Sequence, residues 1–182
     1  MRRTCSVLAA CAVASVLSVQ SAAAQAPSGA KPGPEYARLG YFVGKWTGEG
    51  DTKPGPMGPG GKFTSSDNCE WFEGHYSVVC HSESKMPTGP SKSIGILGYS
   101  AEEKVYTYYG VDNTNMTMAS VPKGTVHGNT WTYTDEGMMG GKNVKTRVTI
   151  KEVSPTTYTF TMEAQGPDGK WAQVMESKNT KQ

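Results

Sequence analysis

Val144, Thr146, Val148 and Ile150 fall on alternate positions, with Lys145, Arg147, Thr149 and Lys151 between them. Tyr158, Phe160 and Met162 alternate in the same way with Thr157, Thr159 and Thr161. Successive strand side chains point to opposite faces, so each segment reads as a strand with one buried face. Helical periodicity is missing from the chain after "PEYARLGYFVG", where a short helix is expected around residues 34–41. Candidate strands then follow at short spacing. They are "KWTGEGD", "KFTSSDNCEWF", "HYSVVCHSES", "KSIGILGYS", "KVYTYYGVD", "NMTMASV", "TVHGNTWTYTDE", "KNVKTRVTIKEV", "TYTFTMEAQ" and "KWAQVMESK". "TVHGNTWTYTDE" reads as one bent strand or as two short ones broken at Gly128-Asn129. "KPGPMGPGG" and "KMPTGPS" read as loops, and "PKG" and "GPDG" as turns. Strands with one apolar face need closure or a second layer to protect their edges. The expected fold is all-β: an antiparallel up-and-down barrel of about ten strands with a short N-terminal helix, favoured over a sandwich.

One hairpin sets its own register. With Gly74-His75 as a two-residue turn in "CEWFEGHYSVVC", Glu73 pairs with Tyr76, Trp71 with Val78, and Cys69 with Cys80. The two sulfurs then share one face, as a disulfide requires. A structural disulfide is favoured over a redox-active pair, whose cysteines are usually closer in sequence.

The beginning of the chain carries an address. Arg2 and Arg3 precede the apolar run "CSVLAACAVASVLSV" and the small-residue stretch "SAAAQA", the pattern of a secretory signal peptide over residues 1–24. Cleavage is expected after Ala24, because a cut after Ala26 would leave Pro27 at the new terminus. "LAAC", ending at Cys11, is an alternative lipoprotein box preceded by only a few apolar residues. The run is too short for a membrane span of roughly 20 residues. Residues 25–34 read as a flexible Pro/Gly linker and 35–179 as one barrel domain. Cleavage removes Cys5 and Cys11 and leaves the Cys69–Cys80 pair for an oxidising compartment, the periplasm or the exterior. The whole chain has 18 Lys plus Arg against 16 Asp plus Glu, and losing two arginines equalises them. A neutral domain points to neither nucleic acid nor an anionic membrane as partner. An outer-membrane barrel is disfavoured by Lys, Glu and Arg in mid-strand.

"LGYFVGKWTGEG", "SIGILGYSAEEKVYTYYGVDN" and "GTVHGNTWTYT" occur here in an order similar to the bacterial family called domain of unknown function 1579. The resemblance spans most of residues 35–178 and implies a small, often exported protein. Ser100 stands where that family commonly has Asp after "GY", which would alter a turn bond there. More distantly, Gly44-Lys45-Trp46 resembles the Gly-x-Trp motif of lipocalins and other calycin barrels. That resemblance implies barrel closure at Gly44 and Trp46, with a late-strand Arg covering the tryptophan, for which Arg147 is the candidate. The alternation instead places Arg147 on its strand's polar face. The calycin group includes nitrobindin-like haem barrels whose iron is held by a late-strand His. No His follows His127 here, which argues against haem.

No cofactor or metal is implied by the remaining residues. His75 and His81 do not converge with Glu70 and Glu73 in the hairpin register, as zinc would need. Met116, Met118, Met138 and Met139 suit Cu(I) chemistry, but a core role is favoured because no Cys or His is near in sequence. There is no G-x-S-x-G elbow and no phosphate loop, and the acids are scattered. Tyr106 and Tyr108 share a face, as do Trp131 and Tyr133, and these four are candidates for a ligand pocket as much as for plain core. The expectation is an exported barrel that binds a small apolar ligand. The alternatives are a packed, ligand-free barrel in envelope upkeep, or a hydrolase.

Overall fold

A computed structural model describes residues 31–55, 58–114, 120–139 and 141–182. The expected signal peptide, most of the linker and residues 115–119 of "NMTMASV" lie outside the described residues.

A short helix α1 (Pro34–Arg38) runs into a 3-10 turn (Leu39–Phe42). Ten strands follow: β1 (Gly44–Thr52), β2 (Gly61–Trp71), β3 (Ser77–Met86), β4 (Gly89–Ser100), β5 (Val105–Asp112), β6 (Lys123–His127), β7 (Thr130–Met139), β8 (Lys142–Ser154), β9 (Thr157–Gln165) and β10 (Trp171–Lys181). Each pairs antiparallel with its chain neighbours, and β1 pairs with β10, so the sheet closes on itself. The inward faces become the core, and the seam is shortest between β5 and β6, which pair only at Tyr106–Gly124 and Thr107–Lys123.

The Cys69–Cys80 disulfide forms, with Cα atoms 4.0 Å apart, and Trp71 pairs with Val78 as the spacing requires. The turn itself is longer than expected. Phe72 and Ser77 close it through a backbone bond of 2.9 Å, leaving Glu73–Tyr76 as the loop. Both Gly74 (φ 84°) and His75 (φ 61°) are left-handed, and the His75 ring stacks on Trp71 at 5.2 Å, which offsets the conformational cost.

Two other expectations are corrected. "KMPTGPS" is not a loop. Lys85 pairs with Pro90 and Met86 with Gly89, so only Pro87 and Thr88 link the strands. Gly89, at φ 124°, makes the tight link feasible. "PKG" is not a turn either: Lys123 and Gly124 begin β6 and pair with β5 and β7. Ser100 does supply a turn bond, since its hydroxyl accepts the Glu103 amide at 3.2 Å.

One barrel end is plugged. Leu39 (0% exposed) and Phe42 (5%) enter it from the 3-10 turn. Burial of each contributes roughly 1.5–3 kcal/mol. Arg38 ties the helix to β8 through Glu152 at 2.7 Å and donates to the Gly128 carbonyl at 3.2 Å. The Tyr41 hydroxyl donates between the Ser154 and Thr157 carbonyls, each 2.9 Å away. Burial, reinforced by the Glu152 charge and opposed by Arg38, pushes Tyr41 up to about 12, so it stays a donor at neutral pH.

Candidate functional site: the barrel interior

Trp46 projects from β1 against Phe42. Its Nε1–H donates to the Phe42 carbonyl at 2.7 Å, and its ring meets Tyr158 at 4.9 Å. Gly44 precedes it with φ 125°, and a Cβ there would come within 2.5 Å of the Lys181 side chain. That glycine therefore serves both the bend and the close approach. Lys181 Nζ, not Arg147, lies over the Trp46 ring, at 5.3 Å. Arg147 is on the outer face of β8, bonded to Glu163 at 2.8 Å and 4.6 Å above the Trp171 ring. The register explains the difference. Arg147 pairs with Glu163 and Glu163 with Gln173, near the start of β10, whereas Trp46 pairs with Lys181 at its end. The covering cation thus comes from the strand adjacent to Trp46.

The four aromatic candidates divide. Tyr106 and Trp131 belong to the plugged end. The Tyr106 hydroxyl donates to the Glu35 carbonyl at 3.1 Å, and Trp131 Nε1–H donates to Glu152 at 2.6 Å. Their rings meet edge to face at 4.8 Å. Tyr108 and Tyr133 instead line a cavity of about 530 Å³ inside the barrel. Glycines make room for both rings. Tyr108 lies across the paired Gly95 and Gly110, and Tyr133 lies against its register partner Gly124.

The cavity has two unlike walls. Val148, Ile150, Phe160, Met162 and Met175 give an apolar wall on β8–β10. The inward set of β8 and β9 is the one that alternation selected. The opposite wall carries Asp67, Ser82, Ser93 and Asp112, successive register partners on β2, β3, β4 and β5. The disulfide lies on the same wall. Ser82 Oγ donates to Asp67, and burial pushes the Asp67 carboxyl above its ordinary range against that bond. Burial likewise raises Tyr108, with Asp67 and Asp112 adding to it, and raises Tyr158, with Asp67 adding to it. Tyr133 is 4% exposed, and its hydroxyl is the one buried side-chain polar atom among the described residues with no hydrogen-bond partner.

Sequence reasoning missed Asp67 and Asp112. The available signal was parity: Asp67 lies two residues from Cys69 and therefore shares its face. A more open depression of about 790 Å³ crosses the outer face of the same wall, past Lys45, Asn68, His81, Glu83 and Lys92. It lacks the enclosure and the apolar wall of the interior. His81 sits there, exposed, and His75 sits in its turn. Among the described residues no three metal-ligating side chains cluster. Met138 is 69% exposed at the β7–β8 tip, so the core role expected for it does not hold. Met116 and Met118 lie outside the described residues.

No curated protein matches the chain. Among solved structures, the crystal structure of Rv2717c from M. tuberculosis is similar at TM-score 0.58 and 12% identity, over 82% of this chain and 98% of that one. A redesigned β-barrel, mFAP1, bound to DFHBI, superposes more loosely, at TM-score 0.40 and 12% identity over 79% and 97% of the two chains. At such identities the likeness concerns the fold alone. The family described as "Protein of unknown function (DUF1579)" matches residues 31–181, and the chain belongs to it.

Proposed function

We infer that the protein is an exported container for a small, mostly apolar ligand held inside the barrel. The observation that carries this reading is the interior cavity of about 530 Å³, with an apolar wall on β8–β10 and a polar one on β2–β5. That volume falls in the range of small-molecule sites, which are mainly apolar with a few placed polar groups. The unfilled interior weighs against a packed barrel acting only through its surface. Export is supported by the N-terminal pattern and by the Cys69–Cys80 disulfide, which persists in oxidising compartments.

Native mass spectrometry of protein purified from its own cell envelope tests the container reading. A reproducible adduct is expected, and a clean apo mass from repeated preparations would count against it. N-terminal sequencing of the same material should begin at Gln25. A full-length cytoplasmic protein would sink the export reading. A hydrolase is the second reading, favoured by one observation: half-buried Asp67 lines the cavity beside Ser82, whose hydroxyl donates to it, and desolvation holds its carboxyl above the ordinary range. Turnover of small chromogenic esters that is lost in Asp67→Asn would support it.

A further inference from the structure

The charge of the ligand can be read from the cavity walls, given the container reading above. Asp67, Asp112 and Asp135 all line the interior, and among the described residues no Lys, Arg or His does. Each acid is held by hydroxyl or amide donors. Ser82 Oγ donates to Asp67, Thr114 N and Oγ1 donate to Asp112 at 2.6 and 2.7 Å, and Ser120 Oγ donates to Asp135 at 2.5 Å. The nearby cations face elsewhere. Lys92 pairs with Glu83 on the outer surface at 2.6 Å, Lys45 is exposed there, and Lys181 lies against Trp46 without lining the cavity.

Two of the acids belong to one ordered row. Trp46, Asp67, Ser82, Ser93 and Asp112 are consecutive register partners from β1 to β5. Because strands tilt in a barrel, the row climbs from the plugged base at Trp46 to the mouth end of β5. Tyr108 and Tyr158 line the same cavity as Asp67. A separate observation concerns the same space: Tyr133 lines the cavity, and its buried hydroxyl has no partner among the described residues.

An ammonium group suits this wall. It brings three donors, it makes charge-assisted bonds to a carboxylate, and it is attracted to aromatic faces. A carboxylate or phosphate would instead be desolvated among like charges. We propose that the cavity selects amphipathic amines, with a cationic ammonium head against Asp67 on the β2–β5 wall and an apolar body against the β8–β10 wall.

The test uses the full mature chain and isothermal titration calorimetry near neutral pH. Decylamine, decanol and decanoate serve as probes of equal chain length, the two ionic probes below their micelle concentrations and decanol below its solubility limit. Decylamine should bind about tenfold more tightly than decanol or better, the gain expected of one charge-assisted bond, and decanoate should bind most weakly. Asp67→Asn should bring decylamine to the level of decanol while decanol stays within about twofold. The comparison of head groups on the wild type stands without the variant, should Asp67→Asn fold poorly. Decanol or decanoate binding as tightly as decylamine would overturn the charge preference and leave the container reading intact. Binding of none of the three would overturn both.

Discussion

Replacing Trp46 by Phe separates two jobs that the indole performs at the plugged end. The side chain is 2% exposed, packed among Tyr41, Tyr158 and Lys181, and its Nε1–H reaches the Phe42 carbonyl at 2.7 Å. Phenylalanine keeps one ring and most of the apolar contact, but it leaves that buried carbonyl without its donor. An unsatisfied buried polar group costs about 1–3 kcal/mol, and the lost part of the ring adds about 1 kcal/mol. Trp46→Phe should therefore destabilise by about 2–4 kcal/mol. Trp46→Ala removes the ring as well and should cost at least as much, about 3–5 kcal/mol or more. Urea unfolding followed by far-UV circular dichroism measures both, and an unchanged m-value would show that the midpoint shift is a change in stability. A loss below about 1 kcal/mol for Trp46→Phe would refute the claim that the indole bond anchors the 3-10 turn. Lys181→Met should cost less than about 1 kcal/mol, since its contact with the ring is partly exposed.

Changing Cys69 and Cys80 together to Ser should lower stability by about 3 kcal/mol, from the loop-closure entropy of a short cross-linked hairpin; thermal melts of the variant against oxidised wild type measure this, and a free-thiol assay on the oxidised protein should label neither cysteine. Asp67→Asn should be more stable than wild type at neutral pH, with an advantage that shrinks on acidification. Burial raises the folded carboxyl above its ordinary value of 3.8, so between the unfolded and folded values the native state binds more proton, and stability falls as pH rises through that window. Urea midpoints of both proteins between pH 3 and pH 8 (about the range spanning a raised Asp) check the sign, and a constant difference would contradict it. Gly95→Ala places a Cβ 2.8 Å from the Tyr108 ring, so it should cost about 1–3 kcal/mol and push that ring into the cavity, which decanol calorimetry would register as weaker binding.

The walls of the barrel were largely legible because strand parity is local. Val144–Ile150 and Tyr158–Met162 announce their buried faces within a few residues, and the inward residues of β8 and β9 follow. The hairpin at Cys69–Cys80 was legible for a related reason: a short link leaves little choice of register. Pro87, Gly89 and Pro90 misled because they usually break strands, yet here they sit at a hairpin tip where few ladder bonds are lost. Lys123-Gly124 misled in the same way, since Gly124 is kept small by the Tyr133 ring across the ladder. The acidic row was not legible. Asp67 and Asp112 come together only through three successive registers, and each acid alone looks like any polar residue on a strand. The exchange of Arg147 for Lys181 has the same origin, because both are basic and only the pairing of β10 with β1 decides which one meets Trp46.

The seam between β1 and β10 has a practical consequence. The Gln182 amide donates to the Lys45 carbonyl at 2.9 Å, so the last residue lies beside the start of the first strand, at the plugged end. Covalently the barrel is a ribbon, but its hydrogen bonds make it a ring, and a ring can be cut elsewhere. A circular permutant with new ends in the turn between Gly166 and Gly169 would retain the ten strand pairings, with a linker running from Gln182 to the start of α1. A fluorescent reporter fused at the new ends would then stand at the end of the barrel opposite the plug rather than at the floor.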